Sequence, residues 1–507
     1  MLLGDLLVAN GVVSKGDIRK ATERQKIAGG LLGENLVALE VVTAEQLQEV
    51  IATFPDPPKN IADTGLKASF IETLVLKLMY VHGYEMPTEV AAALMLSTTI
   101  TNEVLDAARE KGLLEVRGSS GATMASELRF ALTGKGREWA VEALEQCQYI
   151  GAAPVPLSAY CDKIERQAMS TERVSQDVLT QNVSHMVLPN GFIDELGPAV
   201  NSGRAVLLYG PPGNGKSSIA EAIGASFEGI VYIPYAVEVD GQIIKVFDPT
   251  VHDIAGAEEE PKEIVRALVD DDDDDDDDDD VGPLRKEEVD ARWVGCKRPV
   301  MITGGELTLD MLDFRYDTTS KFYEAPLQVK AMNGVFIIDD FGRQTVSPKD
   351  LLNRWIIPLE KRVDYLALHT GKKFLIPFDE LVIFSTNLSP ADLMDEAFLR
   401  RIPYKIPMER PSADDFIQIF VRVCEEKKIE LPKDLLEYVF KSFYKKQGER
   451  LASHHPRFIV ERILDKSRYT GGEPNLDRAS VDFALRNLAI RGGEENEPII
   501  VNNLVQN

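Results

Sequence analysis

Cysteine is scarce in this chain. The four that occur, Cys147, Cys161, Cys296 and Cys424, are spread too widely over 507 positions for a CxxC pair or a zinc-ligand spacing. That excludes a disulfide mini-fold and points to a reducing compartment. Long apolar runs are also missing, and none approaches the ~18 residues that a membrane helix needs. The N-terminus has no basic region, and Asp5 interrupts its first apolar stretch. The expectation is therefore no secretory leader, no membrane insertion and a cytoplasmic location. Positive charge is in deficit: 56 Lys and Arg face 82 Asp and Glu, for a net charge of −26. Eleven of those acids form one run, Asp270–Asp280, and without them the balance is still −15. Such a surface argues against nonspecific nucleic-acid or anionic-membrane binding. What is present is an ordinary globular profile, 44% apolar, 27% charged and 7% aromatic. The length is about three times a typical ~150-residue domain, so several domains are expected.

The first of these is a duplicated unit. Residues 2–13 read LLGDLLVANGVV and residues 31–42 read LLGENLVALEVV, identical at eight of twelve positions at an offset of 29. Each copy leads into a polar, helix-period segment behind a capping candidate, Ser14 or Thr43. This repeat resembles the N-terminal domain of type II secretion and pilus assembly ATPases. The resemblance implies a docking domain over 1–56. Some members of that family bind cyclic di-GMP through these motifs, which is the alternative here. Leu2 and Leu31 stand where those binders carry Arg, Glu40 where the second copy expects Gly, and Phe54 where it expects Gln. Loss of the arginines removes the phosphate partner.

Residues 57–146 read as a winged-helix-like domain. Helices are expected over Phe70–His82, Pro87–Leu96 and Thr98–Lys111, then a strand Leu113–Val116, a Gly/Ser loop, a second strand Leu128–Leu132 and a last helix from Thr133. DNA reading would be the obvious use. However, the third helix offers Glu103, Asp106 and Glu110 against Arg109 and Lys111, a poor surface for phosphates, so protein contact is expected. Residues 147–164 begin with an uncharged, proline-containing linker.

Residues 205–218 read AVLLYGPPGNGKSS, an apolar strand entering GxxxxGKS. The loop Gly210, Pro211, Pro212, Gly213, Asn214, Gly215, Lys216, Ser217 and Ser218 is a phosphate cradle. Glycines let the backbone turn its N–H groups onto phosphate oxygens, Lys216 adds charge, and the Ser217 hydroxyl can ligate Mg²⁺. ATP with Mg²⁺ is the ligand expected. A second apolar strand, Gly334–Ile338, ends in Asp339 and Asp340; Asp339 is assigned to the Mg²⁺ shell and Asp340 to orienting the attacking water. A third, Leu381–Thr386, ends at Asn387. Arg400 and Arg401 follow, and Arg457 stands near the start of a C-terminal helix.

In that order the elements resemble those of AAA+ ATPases: Walker A, Walker B, a sensor 1 Asn, an arginine finger and a sensor 2 Arg, over residues 165–490. The resemblance implies an α/β P-loop NTPase core over 165–410 and a helical lid over 411–495, before a tail at 496–507. It gives Asn387 the sensor 1 role, Arg457 the sensor 2 role, and Arg401, with Arg400 second, the finger supplied to a neighbouring subunit. That arrangement implies a homo-oligomeric ring, by resemblance a hexamer. Within the superfamily, residues 337–362 and 369–387 are similar to MoxR proteins and to predicted chaperone-like ATPases of Flp-type pilus assembly. The implied partner is therefore a protein substrate or a pilus or secretion component. Asp340 stands where many relatives carry Glu. The stretch Asp240–Lys330 is longer than usual; it holds an acidic segment, 258–290, expected as a solvated loop. It also holds Phe314, Tyr316, Phe322 and Tyr323, which are read either as substrate-gripping pore-loop residues or as core. The readings carried forward are an ATP-driven remodeller of protein assemblies, a nucleotide-switched scaffold with little turnover, and a DNA-acting ATPase.

Overall fold

The computed structural model describes residues 4, 7–8, 12–44, 47, 54–119, 128–255, 289–393, 396–445, 450–471, 474 and 476–488. The aspartate run and the tail at 496–507 lie outside them.

Five parallel strands form the central sheet: β1 (Val206–Tyr209), β2 (Val300–Thr303), β3 (Val335–Ile338), β4 (Leu381–Thr386) and β5 (Tyr404–Pro407), in the order β5-β1-β4-β3-β2. Side chains alternate across a strand, so each strand supplies both faces of the sheet. Val206, Leu208, Val335, Ile337, Leu381 and Ile383 join one buried cluster with Leu196 and Ile219. Leu207, Phe336, Ile338, Val382 and Phe384 join another around Trp355 of the helix Pro348–Lys361. This explains why these strands read as unbroken apolar runs: both faces are covered. The carboxyl ends of β1, β3 and β4 lie side by side, which brings Gly210, Asp339 and Asn387 to one edge.

Short segments drawn from Val155 to Pro377 build a second β-unit. Arg315–Tyr316, Tyr323–Glu324, Gln242–Lys245, Ala236–Val239 and Val155–Pro156 make a five-stranded mixed sheet. Ile230–Pro234 pairs with Trp293–Lys297, and the hairpin Val363–Ala367/Lys373–Pro377 packs on the same core. Of the four aromatics weighed as pore-loop residues or core, Tyr323 is in this unit's core, Phe314 and Tyr316 pack half-buried against it, and Phe322 packs half-buried against the helices of residues 68–146. Tyr323 is fully buried, Tyr316 stacks on His369, Phe314 stacks on Phe374, and Phe322 meets Tyr149 edge-on. Asp290, placed by sequence at the end of the acidic loop, is also buried and pairs with Arg292 at 2.8 Å.

In the N-terminal repeat, Ser14 caps the helix Lys15–Ala28 in a reciprocal box with Asp17. Glu40 has a φ of 55°, so the position where the resembling family carries Gly is a left-handed one. Residues 68–146 form the helices Ala68–His82, Pro87–Leu94, Thr98–Glu110 and Gly134–Gln146 with one antiparallel pair, Leu114–Ser119 and Leu128–Leu132. Beyond Pro411 the described elements are all helical: Ala413–Lys427, Lys433–Val439, a π-helical turn, His455–Thr470 and Arg478–Leu488, around Phe416, Phe420, Ile459 and Ile463. Among the described residues no helix is long and apolar enough to cross a membrane.

Candidate functional site

A cleft of about 600 Å³ opens at the carboxyl edge of the sheet, between the loop after β1 and the C-terminal helices. Its floor is the turn Gly210–Gly215, which delivers Lys216 to the first turn of its helix. Gly210, Gly213 and Gly215 all have positive φ. At Gly210 a Cβ would stand 2.3 Å from the Met408 carbonyl oxygen, so the close approach of β1's end to the chain after β5 admits no side chain.

Lys216 is buried and already pinned. Its Nζ donates to the carbonyls of Gly210 and Pro211, both at 3.0 Å, and to Asn387 Oδ1 at 2.7 Å. Burial pulls the ammonium below its ordinary pKa, and the Asp339 and Asp340 carboxylates act against that shift. Asn387 in turn donates from Nδ2 to Asp340 Oδ1 at 2.8 Å. Ser217 Oγ donates to Asp339 Oδ2 at 2.6 Å, and the Asp340 amide donates to Asp339 Oδ1 at 3.0 Å. Lys216, Ser217, Asp339, Asp340 and Asn387, five residues spread over 172 positions of sequence, thus form one hydrogen-bonded group. Gln344 was not anticipated: its Nε2 donates to the carbonyls of Asp339 (2.9 Å) and Asp340 (3.3 Å) and fixes the turn beyond β3.

The residues present fit a Mg²⁺-bearing nucleotide. The loop amides and the start of the helix Lys216–Gly224 make an anion site. Asn214 is buried, with its Oδ1 taken by the Ser453 amide at 3.2 Å, while its Nδ2 finds no partner among the described residues and is free to donate into the cleft. Ser217 and Asp339 offer two hard oxygen donors. Among the described residues no group of three or more His, Cys, Asp or Glu side chains converges as a metal site. That pair suits an ion whose other ligands are phosphate and water.

Arg457 lines the same cleft, as assigned, but is held by Glu426, Nη2 to Oε2 at 2.7 Å. Arg400 and Arg401 are not brought to it. They line a separate cleft with Arg204, Glu360 and Arg362, where Arg401 Nε pairs with Glu360 at 3.1 Å. Sequence reasoning missed the opposite wall: His185–Leu188 facing Ile419, Arg422, Val423 and Glu426 of the helix Ala413–Lys427, with Ser453 and His454 over the loop. Arg422 Nη1 donates to the Ser184 (2.7 Å) and Met186 (2.8 Å) carbonyls, strapping the two walls together. The 419, 422, 423, 426 spacing marks one helix face, but a contact to backbone carbonyls leaves no sequence signature.

Residues 412–487 match a family model described as Domain of unknown function (DUF8689). Comparison with curated proteins gives no match. Among solved structures the chain is similar to domain III of the Thermotoga maritima replication initiation protein DnaA, at 14% identity over 62% of this chain and 98% of that one, with a TM-score of 0.32. It is similar to NtrX from Brucella abortus at 12% identity over 59% and 56% of the two chains, with a TM-score of 0.34. The Thermotoga maritima RuvB Holliday junction branch migration motor gives 14% identity over 62% and 70%, with a TM-score of 0.30.

Proposed function

We propose that this chain is an AAA+-type ATPase that binds Mg·ATP in the cleft above Lys216 and couples its hydrolysis to remodelling of protein assemblies. The observation that supports it most is the hydrogen-bonded group Lys216–Asn387–Asp340 beside Ser217–Asp339, at the ends of three adjacent parallel strands. Mg²⁺ would supply charge neutralisation of the phosphates, and Ser217 and Asp339 are the residues that would hold it. Lys216 exchanges Asn387 for a phosphate oxygen. Asp340, still anchored by Asn387, orients and deprotonates the attacking water. The apolar wall Val187, Leu188, Ile419 and Val423 suits a nucleobase, with Arg457 at the phosphate side.

The C-terminal helices serve as a lid. They touch the loop directly, His454 N donating to the Gly213 carbonyl at 3.0 Å, so a change in lid angle is felt at the phosphates. Arg401, remote from its own cleft, suits a finger given to a neighbouring subunit in a hexameric ring. The finer assignment is MoxR-like, with the N-terminal repeat and the winged-helix-like unit docking onto a pilus or secretion component. The helix Thr98–Glu110 buries Ile100, Val104 and Leu105 and exposes Glu103, Asp106 and Glu110, which favours protein contact over DNA. Asp340 favours a second reading, a nucleotide-switched scaffold, because its short carboxylate is tied to Asn387.

The test is steady-state ATP turnover across a range of chain concentrations, with Lys216→Ala as control. Turnover per subunit that rises with concentration and vanishes in the variant supports the ring. ATP binding without turnover at any concentration selects the switch, and a Lys216→Ala variant as active as wild type defeats both.

A further inference from the structure

The lid offers the cleft an arginine that is already engaged. Arg457, in the first turn of His455–Thr470, presents both terminal amino groups to one carboxylate, Nη2 to Glu426 Oε2 at 2.7 Å and Nη1 to Oε1 at 3.3 Å. Glu426 ends the cleft-facing stripe of the helix Ala413–Lys427, one turn beyond Arg422 and Val423. Lys427 Nζ holds the same carboxylate at 2.8 Å. Hydrogen bonds from Arg457 first and Lys427 second keep the Glu426 carboxyl at about 2, so it is ionised throughout the physiological range. The two helices are fixed to each other: Phe420, Val423 and Cys424 pack with Ile459, Val460 and Ile463 in one buried cluster. Both partners therefore ride on one rigid piece, and the pair opens by side-chain rotation alone.

We propose that Glu426 is a carboxylate latch on Arg457, occupying in the empty cleft the guanidinium that nucleotide phosphates require. This rests on the nucleotide reading of the cleft. A two-point guanidinium–carboxylate pair yields to a polyphosphate, whose several charged oxygens and higher charge make stronger hydrogen bonds. It yields poorly to a single small anion. The latch thus spares Arg457 for the triphosphate and sets binding against release of Glu426. Both side chains are about half exposed, so the pair is worth what exposed ion pairs are worth, and the effect expected is a few-fold.

The test is a double-mutant cycle on ATPγS affinity, read by fluorescence titration in the full chain and independent of turnover, with thermal unfolding to confirm folding. Glu426→Gln should tighten ATPγS by about three- to five-fold. Arg457→Met should weaken it, and in the Arg457→Met background Glu426→Gln should change nothing further. An unchanged affinity in Glu426→Gln overturns the latch. Equal tightening in both backgrounds also overturns it, because that is plain removal of a negative charge from an anion site. If wild type and Lys216→Ala alike fail to bind ATPγS, the nucleotide reading itself falls and the latch with it, an outcome distinct from either of the others.

Discussion

Asn387 holds Asp340: its Nδ2 donates to Asp340 Oδ1 at 2.8 Å, while the Oδ1 of the same amide accepts from Lys216 Nζ at 2.7 Å. One side chain at the end of β4 thereby ties the lysine after β1 to the acid after β3. Asp340 has a φ of 47°, a left-handed conformation that Asp and Asn adopt more readily than longer side chains. The short acid is thus suited to its backbone, and a Glu at this position would have to reach the water from a strained turn.

Asp340→Asn keeps the left-handed turn and an oxygen for Asn387 while removing the charge. Turnover should fall by about 10²- to 10⁴-fold, the range for loss of a general base. ATPγS affinity should stay within a few-fold of wild type. Measuring both in parallel separates loss of chemistry from loss of binding, and a turnover unchanged by the substitution would remove Asp340 from the reaction.

Arg422 straps the Ser184 and Met186 carbonyls to the helix Ala413–Lys427 at 2.7 and 2.8 Å. Arg422→Met keeps the aliphatic stem and removes the strap, so the wall at Val187 and Leu188 loses its position relative to Ile419 and Val423. ATPγS should bind about ten-fold more weakly, as for loss of a charged hydrogen bond. Inorganic triphosphate, which has no base, should bind as before. Equal loss for both probes would place the effect at the phosphates instead.

How much of this was legible in the sequence follows from where the chemistry lies. Lys216 and Ser217 were readable from the GxxxxGKS loop, and Asp339 and Asn387 because each directly follows a strand buried on both faces, where an unbroken apolar run followed by polar residues is a strong local signal. Gln344, Arg422 and Glu426 were not, because they act on backbone carbonyls or on a residue 31 positions away. The second β-unit was hidden for another reason: its strands are two to five residues long and are contributed by segments from Val155 to Pro377. Such short, scattered pieces carry no periodicity, so the sequence left Phe314, Tyr316, Phe322 and Tyr323 open between pore-loop and core readings, and only Tyr316 and Tyr323 lie in strands of the sheet.

Glu380, directly before β4, is fully buried, and neither carboxyl oxygen finds a partner among the described residues. Desolvation raises its pKa well above the ordinary carboxylate value, with Asp364 and Asp379 adding to the shift and Arg362 opposing it. Below the ordinary value the folded and unfolded chains are both protonated there, and the group makes no pH-dependent contribution. Above it the unfolded chain releases the proton and the folded chain keeps it, so this contribution to stability falls as pH rises. Glu380→Gln should therefore gain in melting temperature over wild type by a margin that is larger at pH 8 than at pH 5. A margin independent of pH would mean that Glu380 is ionised in the fold.

Gly213 is where the C-terminal helices rest on the loop after β1. His454 donates its backbone N–H to the Gly213 carbonyl at 3.0 Å, and its ring covers the glycine so closely that a Cβ would lie 2.0 Å from Nδ1 and 2.6 Å from Cε1. Gly213 also has a φ of 77°, so an alanine there meets two separate costs. The left-handed backbone costs about 1–2 kcal/mol with or without nucleotide. The clash with His454 is relieved only if the ring swings out or the helix His455–Thr470 moves away. Because the backbone cost is the same with and without nucleotide, it should appear as lost thermal stability, and the weakening of ATPγS binding by Gly213→Ala should report the clash with the His454 ring. His454→Ala alone should have little effect, because the N–H bond is made by the backbone. The double variant should recover ATPγS affinity and keep the loss of thermal stability owed to φ. If Gly213→Ala and the double variant bind equally, the ring turns aside freely and its clash does not reach the nucleotide.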